Sequence, residues 1–508
     1  MEESGVNEPQ PRQQRELAAS ARPRPGPAAR PGRRPRHSTA ARIVAWTSVI
    51  LTGALVVAAI GVYAGYRHLN GNIHQVNISG LVGAQPPDHH PSAENIVVIG
   101  SDSRRHQSAR YGNSQELTTD QSDTLMIMHI PADRQYAEVM SIPRDSWVNI
   151  PSCRMGNGQM SSPQVFKINE AFALGNLDGN HTDLGVACTI KTVERDTGIH
   201  VDHFIVINFA GFKDMVNALG GVPECNRHPI NDPLSGLRLT AGHHLLNGIQ
   251  ALGYVRARYT LGNGSDLERI GRQQAFMSAL VKRARSELLD PVAIYRFLDA
   301  ATRSITIDSQ LGGIAGIYKL GNSLKNLPAS KVTFFTLPTY PRSLVDPLDL
   351  ANVMWTQPID SQIFQAFRDD VPVNKALLKR HRPPRLPARD VRVAVLNGTG
   401  QFGLAASVAP LLQQDGFTVT QALDVTSMPT QTVIRYRPGY GRQASRLGAK
   451  ISGAAFQRVH GHGPGVTLLL GGNYGTTAQV ITPGTTPNPQ PSASFKPRKA
   501  SQNICTSA

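Results

Sequence analysis

Residues Asn95–Arg104 read NIVVIGSDSR. The run Ile96-Val97-Val98-Ile99 is apolar at every position and too short for a helix, and Gly100 closes it. A strand with one wet face would alternate. An unbroken run predicts a strand buried on both faces. Residues 124–130 and 136–142 read as two more strands around the turn Pro131-Ala132-Asp133-Arg134-Gln135. Helical periodicity follows at about 184–197, 212–218, 248–251, 267–288 and 291–304, with strands at 204–208 and 331–335. Strands and helices interleave, and a hairpin lies among them. The prediction is therefore an α/β domain over 95–370, with a mixed central sheet flanked by helices.

The chemistry in this pattern lies at strand ends. Asp102 follows the first buried strand, and Asp123 precedes the second. Counting equal steps out from the turn sets Asp123 opposite Pro143, next to Arg144. Paired carboxylates beside arginines suit Mg²⁺ or Mn²⁺, hard cations that bridge protein and phosphate oxygens. The alternative is that Asp102 caps a turn and Asp123 caps or forms a salt bridge.

A second polar concentration is 254–274, YVRARYTLGNGSDLERIGRQQ. Tyr254, Arg256 and Arg258 alternate as on a strand and would share one face. Ser265 and Glu268 fit a capping box, and Asp266, Arg269 and Gln273 then share a helix face. With Arg272, these arginines surround a Gly-rich turn and form a socket for a polyanion, most simply phosphate. Solvated arginines and an exposed Asp266–Arg269 pair are the plainer alternative for any one of them.

The flanks of the domain decide where this chemistry happens. Residues 1–42 hold nine arginines and four glutamates among Pro, Ala and Gly, and read as a disordered basic head. Residues 43–66 carry no charge over 24 positions, enough to span a bilayer of about 30 Å. A basic head this long and an apolar run this long favour an uncleaved transmembrane helix over a signal peptide. Positive-inside topology then puts residues 1–42 in the cytoplasm and the rest outside, anchored by a single pass. Of the net charge of +16, the head supplies 9 − 4 = +5, so +11 lies beyond the membrane. Nucleic acid is excluded there as a partner. Anionic lipid or wall polymer fits better.

Residues 67–94 read as a polar stalk, 371–390 as a basic proline-broken linker, 391–474 as a smaller α/β domain, and 475–508 as a disordered tail. Cys153, Cys188, Cys225 and Cys505 suit an oxidising exterior. Sequence does not choose among their three full pairings, although a Cys153–Cys188 bridge would pin the segment 167–172 between them. No spacing suggests zinc.

The segments 95–104 (NIVVIGSDSR), 121–126 (QSDTLM), 141–150 (SIPRDSWVNI), 167–172 (KINEAF), 204–222 (FIVINFAGFKDMVNALGGV) and 251–274 together resemble the LytR–CpsA–Psr family in its actinobacterial form. Residues 391–472, with VAVLNGTGQFGLA and a late TLLLGG strand, resemble the separate C-terminal module that many members carry. The resemblance implies a phosphotransferase-type ligase. It would attach anionic glycopolymers from polyprenyl-diphosphate carriers to peptidoglycan, usually at the C6 hydroxyl of N-acetylmuramic acid. It further implies Asp102 and Asp123 as metal-associated aspartates, and Arg144, Arg256, Arg258 and Arg269 as diphosphate-binding arginines. Asp266 and Gln273 are implied as polar residues beside them. The arginines and the metal would stabilise charge on the departing polyprenyl phosphate, and Asp102 is the candidate proton acceptor. Some members carry another arginine where this chain has Val148.

Other readings stay open. Lys167 and Asn169 either contact polymer or carrier, or shape a turn. His200 and His203 read as structural histidines beside an apolar strand. Gly398-Thr399-Gly400-Gln401-Phe402-Gly403 fits GxGxxG, with Asp424 about 20 residues on, as in a dinucleotide fingerprint. An extracytoplasmic location argues against NAD, and the glycines serve a tight turn equally well. Rival functions are a polyprenyl-diphosphate phosphatase and a non-catalytic wall-polymer-binding scaffold. A transcriptional regulator would need the basic head to bind DNA, and that head has no helix-turn-helix pattern.

Overall fold

The computed structural model describes residues 39–101, 121–177, 179–226, 229–257, 266–286, 290–373, 386–460, 463–480 and 498–499. The chain divides into two units, Met1–Ala64 and Gly65–Ala508. The described part of the first is helical. This helix starts at Thr39, taking in the last four residues of the expected head, and continues to Asn72. Within it, Arg42–Asn72 is long and apolar enough to cross a membrane.

The second unit is built on an eight-stranded mixed sheet. Its strands run in the order His74–Val76, Ile305–Asp308, His203–Asn208, Glu94–Ser101, Ser122–Ile130, Ala137–Ile142, Val332–Thr336 and Arg498–Lys499. Glu94–Ser101 pairs in parallel with His203–Asn208 and antiparallel with Ser122–Ile130. Both faces are covered, as the unbroken apolar run requires. Val97 and Ile99 join Ile127, Met140 and Phe204 against helices Thr182–Thr197 and Ile359–Arg368, through Val186, Ile190, Phe364 and Phe367. On the other face, Val98 packs with Met126, Val139, Phe334 and Met277 of helix Asp266–Ser286. Each such side chain contributes roughly 1.5–3 kcal/mol, so these two layers dominate the domain's stability.

Several expectations change. In the hairpin, Leu125 pairs with Ile142 and His129 with Glu138, one step away from the register counted from the turn. Arg134 takes a left-handed conformation (φ 56°), and its guanidinium caps the carbonyls of Ile130 and Pro131, which resets the count. Residues 254 and 256 are not on a strand. Asn247 and Gln250 form a capping box that starts a helix, and this helix runs through Gly248–Arg256. Tyr254 is consequently buried in the core, and Arg256, two residues on, faces elsewhere. The expected stalk folds onto the domain. His74–Val76 adds the edge strand, and Ile73, Ile78 and Val82 are buried. In the expected tail, Gln479–Val480 pairs with Ile451–Ser452, and Arg498–Lys499 pairs with Val332–Thr336.

The smaller domain has a five-stranded sheet in the order Thr418–Asp424, Arg392–Asn397, Val466–Leu470, Val433–Tyr436, Ala455–Arg458. Asp346 of the larger domain ties to it, accepting a hydrogen bond from the Tyr436 hydroxyl (2.8 Å) and pairing with Arg458.

Cys153 and Cys188 are joined, with 35 residues of separation and Cα atoms 5.4 Å apart. Replacing both by alanine is expected to lower unfolding stability by about 2–4 kcal/mol in chemical denaturation, mainly through a freer unfolded chain.

Asp360 is fully buried, and among the described residues neither of its carboxylate oxygens meets a well-formed hydrogen-bond partner. Burial pushes its pKa up to about 8. The folded state therefore holds a proton that the unfolded chain releases above the usual aspartate range. Stability contributed by the neutral form is full below about pH 4 and falls as pH rises towards about 8. The expected slope is roughly 1 kcal/mol per pH unit across that window. Denaturation midpoints at pH 5 to 8 for the native chain and Asp360→Asn should show a flatter profile in the variant.

Candidate functional site

Ser101, Asn208 and Asp123 mark one end of the central strands. The altered hairpin register carries Asp123 past Pro143, level with Arg144, and the two side chains form an ion pair. Arg144 Nε also lies 3.6 Å from Asp145 Oδ1. The pair is about one-fifth exposed on both sides, so it is screened less than a surface pair.

Two helix starts bring the other walls. Asn208 ends its strand and caps the helix Phe209–Ala218 by accepting from Gly211 N at 2.8 Å. Phe209 is thereby fixed at the strand end. Gly248 starts the helix that carries Arg256, and it must be glycine: a Cβ there would sit 2.3 Å from the Lys213 carbonyl oxygen. That close approach sets the Arg256 guanidinium 4.9 Å from the Phe209 ring centre, a cation–π contact.

Helix Asp266–Ser286 supplies the remaining wall. Gln274 locks it to the sheet through Ser141 Oγ (3.0 Å) and Thr336 Oγ1 (3.2 Å). One residue earlier, Gln273 donates to the Val255 carbonyl at 3.2 Å. Arg269 is buried one turn away, at 5% exposure.

These residues enclose a cavity of about 180 Å³, lined by Asp123, Thr124, Arg144, Phe209, Asp232, Leu234, Ser235, Val255, Arg256, Arg269 and Gln273. A second cavity of about 90 Å³ shares Thr124, Phe209, Val255 and Gln273 with it and is otherwise lined almost wholly by apolar side chains, among them Val98, Met126, Leu252, Phe276 and Met277. A cationic chamber thus borders an apolar one.

The structure accordingly gathers five of the sequence-derived candidates: Asp123, Arg144, Arg256, Arg269 and Gln273. Asp102, Arg258, Ser265 and the Asp266 side chain lie outside the described residues. Arg272 is not part of the chamber wall; its guanidinium donates to the Ala257 carbonyl. Val148 is buried in the core. Asn169 is buried behind the site, where it donates to Gln121 Oε1 (3.1 Å) and its backbone N–H reaches the Arg144 carbonyl (3.3 Å). Lys167 ends a strand and lies outside the chamber lining.

His200 and His203 stand at the opposite end of the sheet. His200 Nδ1 donates to the Pro86 carbonyl (2.9 Å), and His203 Nδ1 pairs with Asp308 Oδ2 (2.8 Å), which raises the His203 pKa. Both are held at that end by contacts within the fold, outside the chamber lining.

Sequence reasoning missed Asp232, Ser235 and Phe209. Asp232 is 1% exposed and accepts the backbone N–H groups of Leu234 and Ser235 at 3.0 Å. The signal present was an Asx-turn pattern, Asn231-Asp232-Pro233, which predicts a turn but not its neighbours.

The GxGxxG loop closes on itself. Asp424 Oδ2 accepts from Gly403 N (2.8 Å), and Oδ1 accepts from Asn397 Nδ2 (2.7 Å). Asn397 Oδ1 takes Thr399 N and Oγ1. A Cβ on Gly398 would lie 2.3 Å from the Ser427 carbonyl oxygen. The carboxylate that a dinucleotide fold keeps for ribose is spent on the turn.

Residues 65–364 match the LytR_cpsA_psr family, and residues 390–474 match a family described as LytR cell envelope-related transcriptional attenuator. The chain is 31% identical to the cell wall biosynthesis protein LcpA of Corynebacterium glutamicum over 415 residues, 76% of each chain. It is 28% identical to the polyisoprenyl-teichoic acid–peptidoglycan teichoic acid transferase TagT of Bacillus subtilis over 315 residues, 59% of this chain and 88% of that one. A solved LytR-Csp2A-Psr enzyme from Actinomyces oris superposes with a TM-score of 0.43 at 22% identity, covering 58% of this chain and 95% of that one. This chain belongs to the LytR–CpsA–Psr family.

Proposed function

We propose that this protein is a membrane-anchored phosphotransferase-type ligase of cell-wall assembly. Its donor is an anionic glycopolymer on a polyprenyl-diphosphate carrier, and its acceptor is a peptidoglycan hydroxyl, that at C6 of N-acetylmuramic acid. The observation that carries this reading is the shared wall between the two chambers. A ligand filling both must have a multiply charged head joined directly to an apolar tail. A nucleotide or a soluble sugar phosphate has no use for the second chamber.

In this mechanism Arg144, Arg256 and Arg269 hold the diphosphate. Arg269 is nearly dry, so an anion beside it is stabilised well beyond what the same pair would gain in water. The acceptor oxygen forms a bond to the phosphorus that bears the polymer, and the bridging P–O bond breaks. Polyprenyl phosphate leaves with the bond's electron pair, which the arginines stabilise. The hydroxyl proton passes to a carboxylate, for which Asp102 is our candidate. Arg258 and Asp266 are proposed beside the same diphosphate.

Mg²⁺ or Mn²⁺ fits the oxygen donors of the site. Asp123 and Thr124 line the chamber, and Asp102 follows the neighbouring strand. Among the described residues Asp123 belongs to no group of three ligand side chains, so carrier phosphate oxygens would complete the shell. When bound, the cation would neutralise developing phosphate charge. The apolar helix 43–66 would place the catalytic domain outside the cytoplasm.

The test mixes full-length protein with a lipid-diphosphate-linked glycan, Mg²⁺ and a peptidoglycan oligomer. Arg144→Ala and Arg256→Ala should each slow transfer by about 100-fold or more. Unchanged transfer would place the site elsewhere. Release of phosphate-capped glycan without transfer would identify a phosphatase, and tight binding without turnover a scaffold.

Leu252→Trp partly fills the apolar chamber. It should raise the KM for long-chain carriers more than for short-chain ones. An unchanged ratio between the two would separate that chamber from carrier binding.

A further inference from the structure

The rim of the sheet opposite the chamber carries a second cluster of ligand-type side chains. Beyond helix Thr182–Thr197, Ile199 and Val201 turn into the core, while His200 and Asp202 stay part-exposed. That alternation sets His200 and Asp202 on the same outer side. Asp202 is fixed to the neighbouring strand Glu94–Ser101. Its backbone N–H donates to the Asn95 carbonyl (3.0 Å), and its Oδ2 accepts from Asn95 N (2.7 Å). Gln85 ties the loop 83–93 to the same place by donating to Glu194 Oε1 at 2.8 Å. Asp88 lies on this loop, with Oδ1 accepting from His90 N at 2.9 Å. Asp88, His200 and Asp202 each bring one ligand atom within 4.8 Å of the other two.

His200 is oriented as a metal ligand. Its Nδ1 lies 2.9 Å from the Pro86 carbonyl oxygen, which can only accept, so Nδ1 carries the proton. In the neutral ring Nε2 is then a bare lone pair. A backbone carbonyl on the far nitrogen is the usual support of a metal-binding histidine. Nε2 stands 3.8 Å from Asp202 Oδ1, beyond hydrogen-bond range. Neighbouring acids are matched otherwise: Glu94 pairs with Arg134 (2.6 Å) and Asp308 with His203 (2.8 Å). Asp88 and Asp202 instead bring two like charges together beside a neutral imidazole, and a divalent cation would cancel both. A cavity of about 270 Å³ opens beside them, lined by His200, Asp202, Gln85 and Glu94 among others. It gives room for water as a further ligand.

We propose that Asp88, His200 and Asp202 form a Zn²⁺ site that clips the loop 83–93 to this rim of the sheet. One imidazole nitrogen and two carboxylate oxygens, completed by water, suit Zn²⁺, whereas Mg²⁺ takes an octahedral shell of oxygens. With bonds of about 2.1 Å, a tetrahedral ion holds its ligand atoms about 3.4 Å apart. Closing from at most 4.8 Å is a shift of about 1.4 Å, within reach of a side-chain rotation of the exposed Asp88. The ligands come from segments that only the fold brings together, so no spacing in the sequence announces them. The site is separate from the cation proposed beside Asp123, which belongs to the other rim.

The test titrates Zn²⁺ by calorimetry into the full chain, purified in detergent without a polyhistidine tag. The native protein should bind one equivalent that His200→Ala and Asp202→Asn both lose. Asp88→Ala, on the exposed loop, should weaken that binding by about 10-fold or more while its metal-free melting temperature stays close to native. Asp123→Asn should bind Zn²⁺ as the native chain does. Zinc-edge X-ray absorption should show one imidazole nitrogen among oxygen neighbours. Amide exchange in the loop 83–93 should slow on adding Zn²⁺ to the native chain and not to His200→Ala. No uptake by the native chain, or uptake unaffected by His200→Ala and Asp88→Ala, would overturn the proposal. So would loss of that equivalent in Asp123→Asn, or its displacement by an equal concentration of Mg²⁺.

Discussion

Because the central sheet is buried on both faces, its charged side chains can emerge only where its strands end. Val97 and Ile99 point into one apolar layer and Val98 into the other, so no position along that strand can hold a charge in water. The polar residues of the site are accordingly stacked at one rim. Asp123 and Arg144 come from adjoining strand ends, Phe209 from a helix start, and Arg256 and Arg269 from helices laid across that rim. The same constraint puts His203 and Asp308 at the opposite rim, where they pair with each other.

The rim is also where cation burial becomes chemically useful. A half-exposed arginine on a surface gains little from an anion, about 0–1 kcal/mol. Arg269 at 5% exposure, in a chamber with Arg144 and Arg256, is in a different regime. Gathering like charges in a partly dry space is unfavourable by itself, and the cation–π contact of Arg256 and the Asp123–Arg144 pair offset part of it. In the function proposed above a bound diphosphate would offset the rest, which would tie the stability of the site to its ligand.

Much of this was legible in the residues because short-range physics dictated it. The doubly buried strand, the hairpin, the helices near 184–197 and 291–304 and the apolar span all follow from local pattern. Where reading failed, longer-range packing had overruled it. Tyr254-Val255-Arg256 alternates like a strand, but a capping box seven residues earlier and a core place for Tyr254 make it helical. The polar composition of 67–94 hid an edge strand, since three residues suffice once a partner is waiting. Asp232 carried only a turn signal, because its chamber neighbours beyond Leu234 and Ser235 come from more than twenty residues away in sequence.

The sequence by itself determined the fold class, the family and five of the side chains that line the chamber, Asp123, Arg144, Arg256, Arg269 and Gln273. Apolar periodicity and residue chemistry are local properties, and the family motifs sit within single segments. Tertiary structure alone decided the register that carries Asp123 level with Arg144, the turn of Arg272 away from the chamber, and the wall shared by the cationic and apolar cavities. Each depends on a one-residue offset or a packing distance of a few ångströms. Those are set by the close approach of separate elements, such as Gly248 against Lys213, which no single segment encodes.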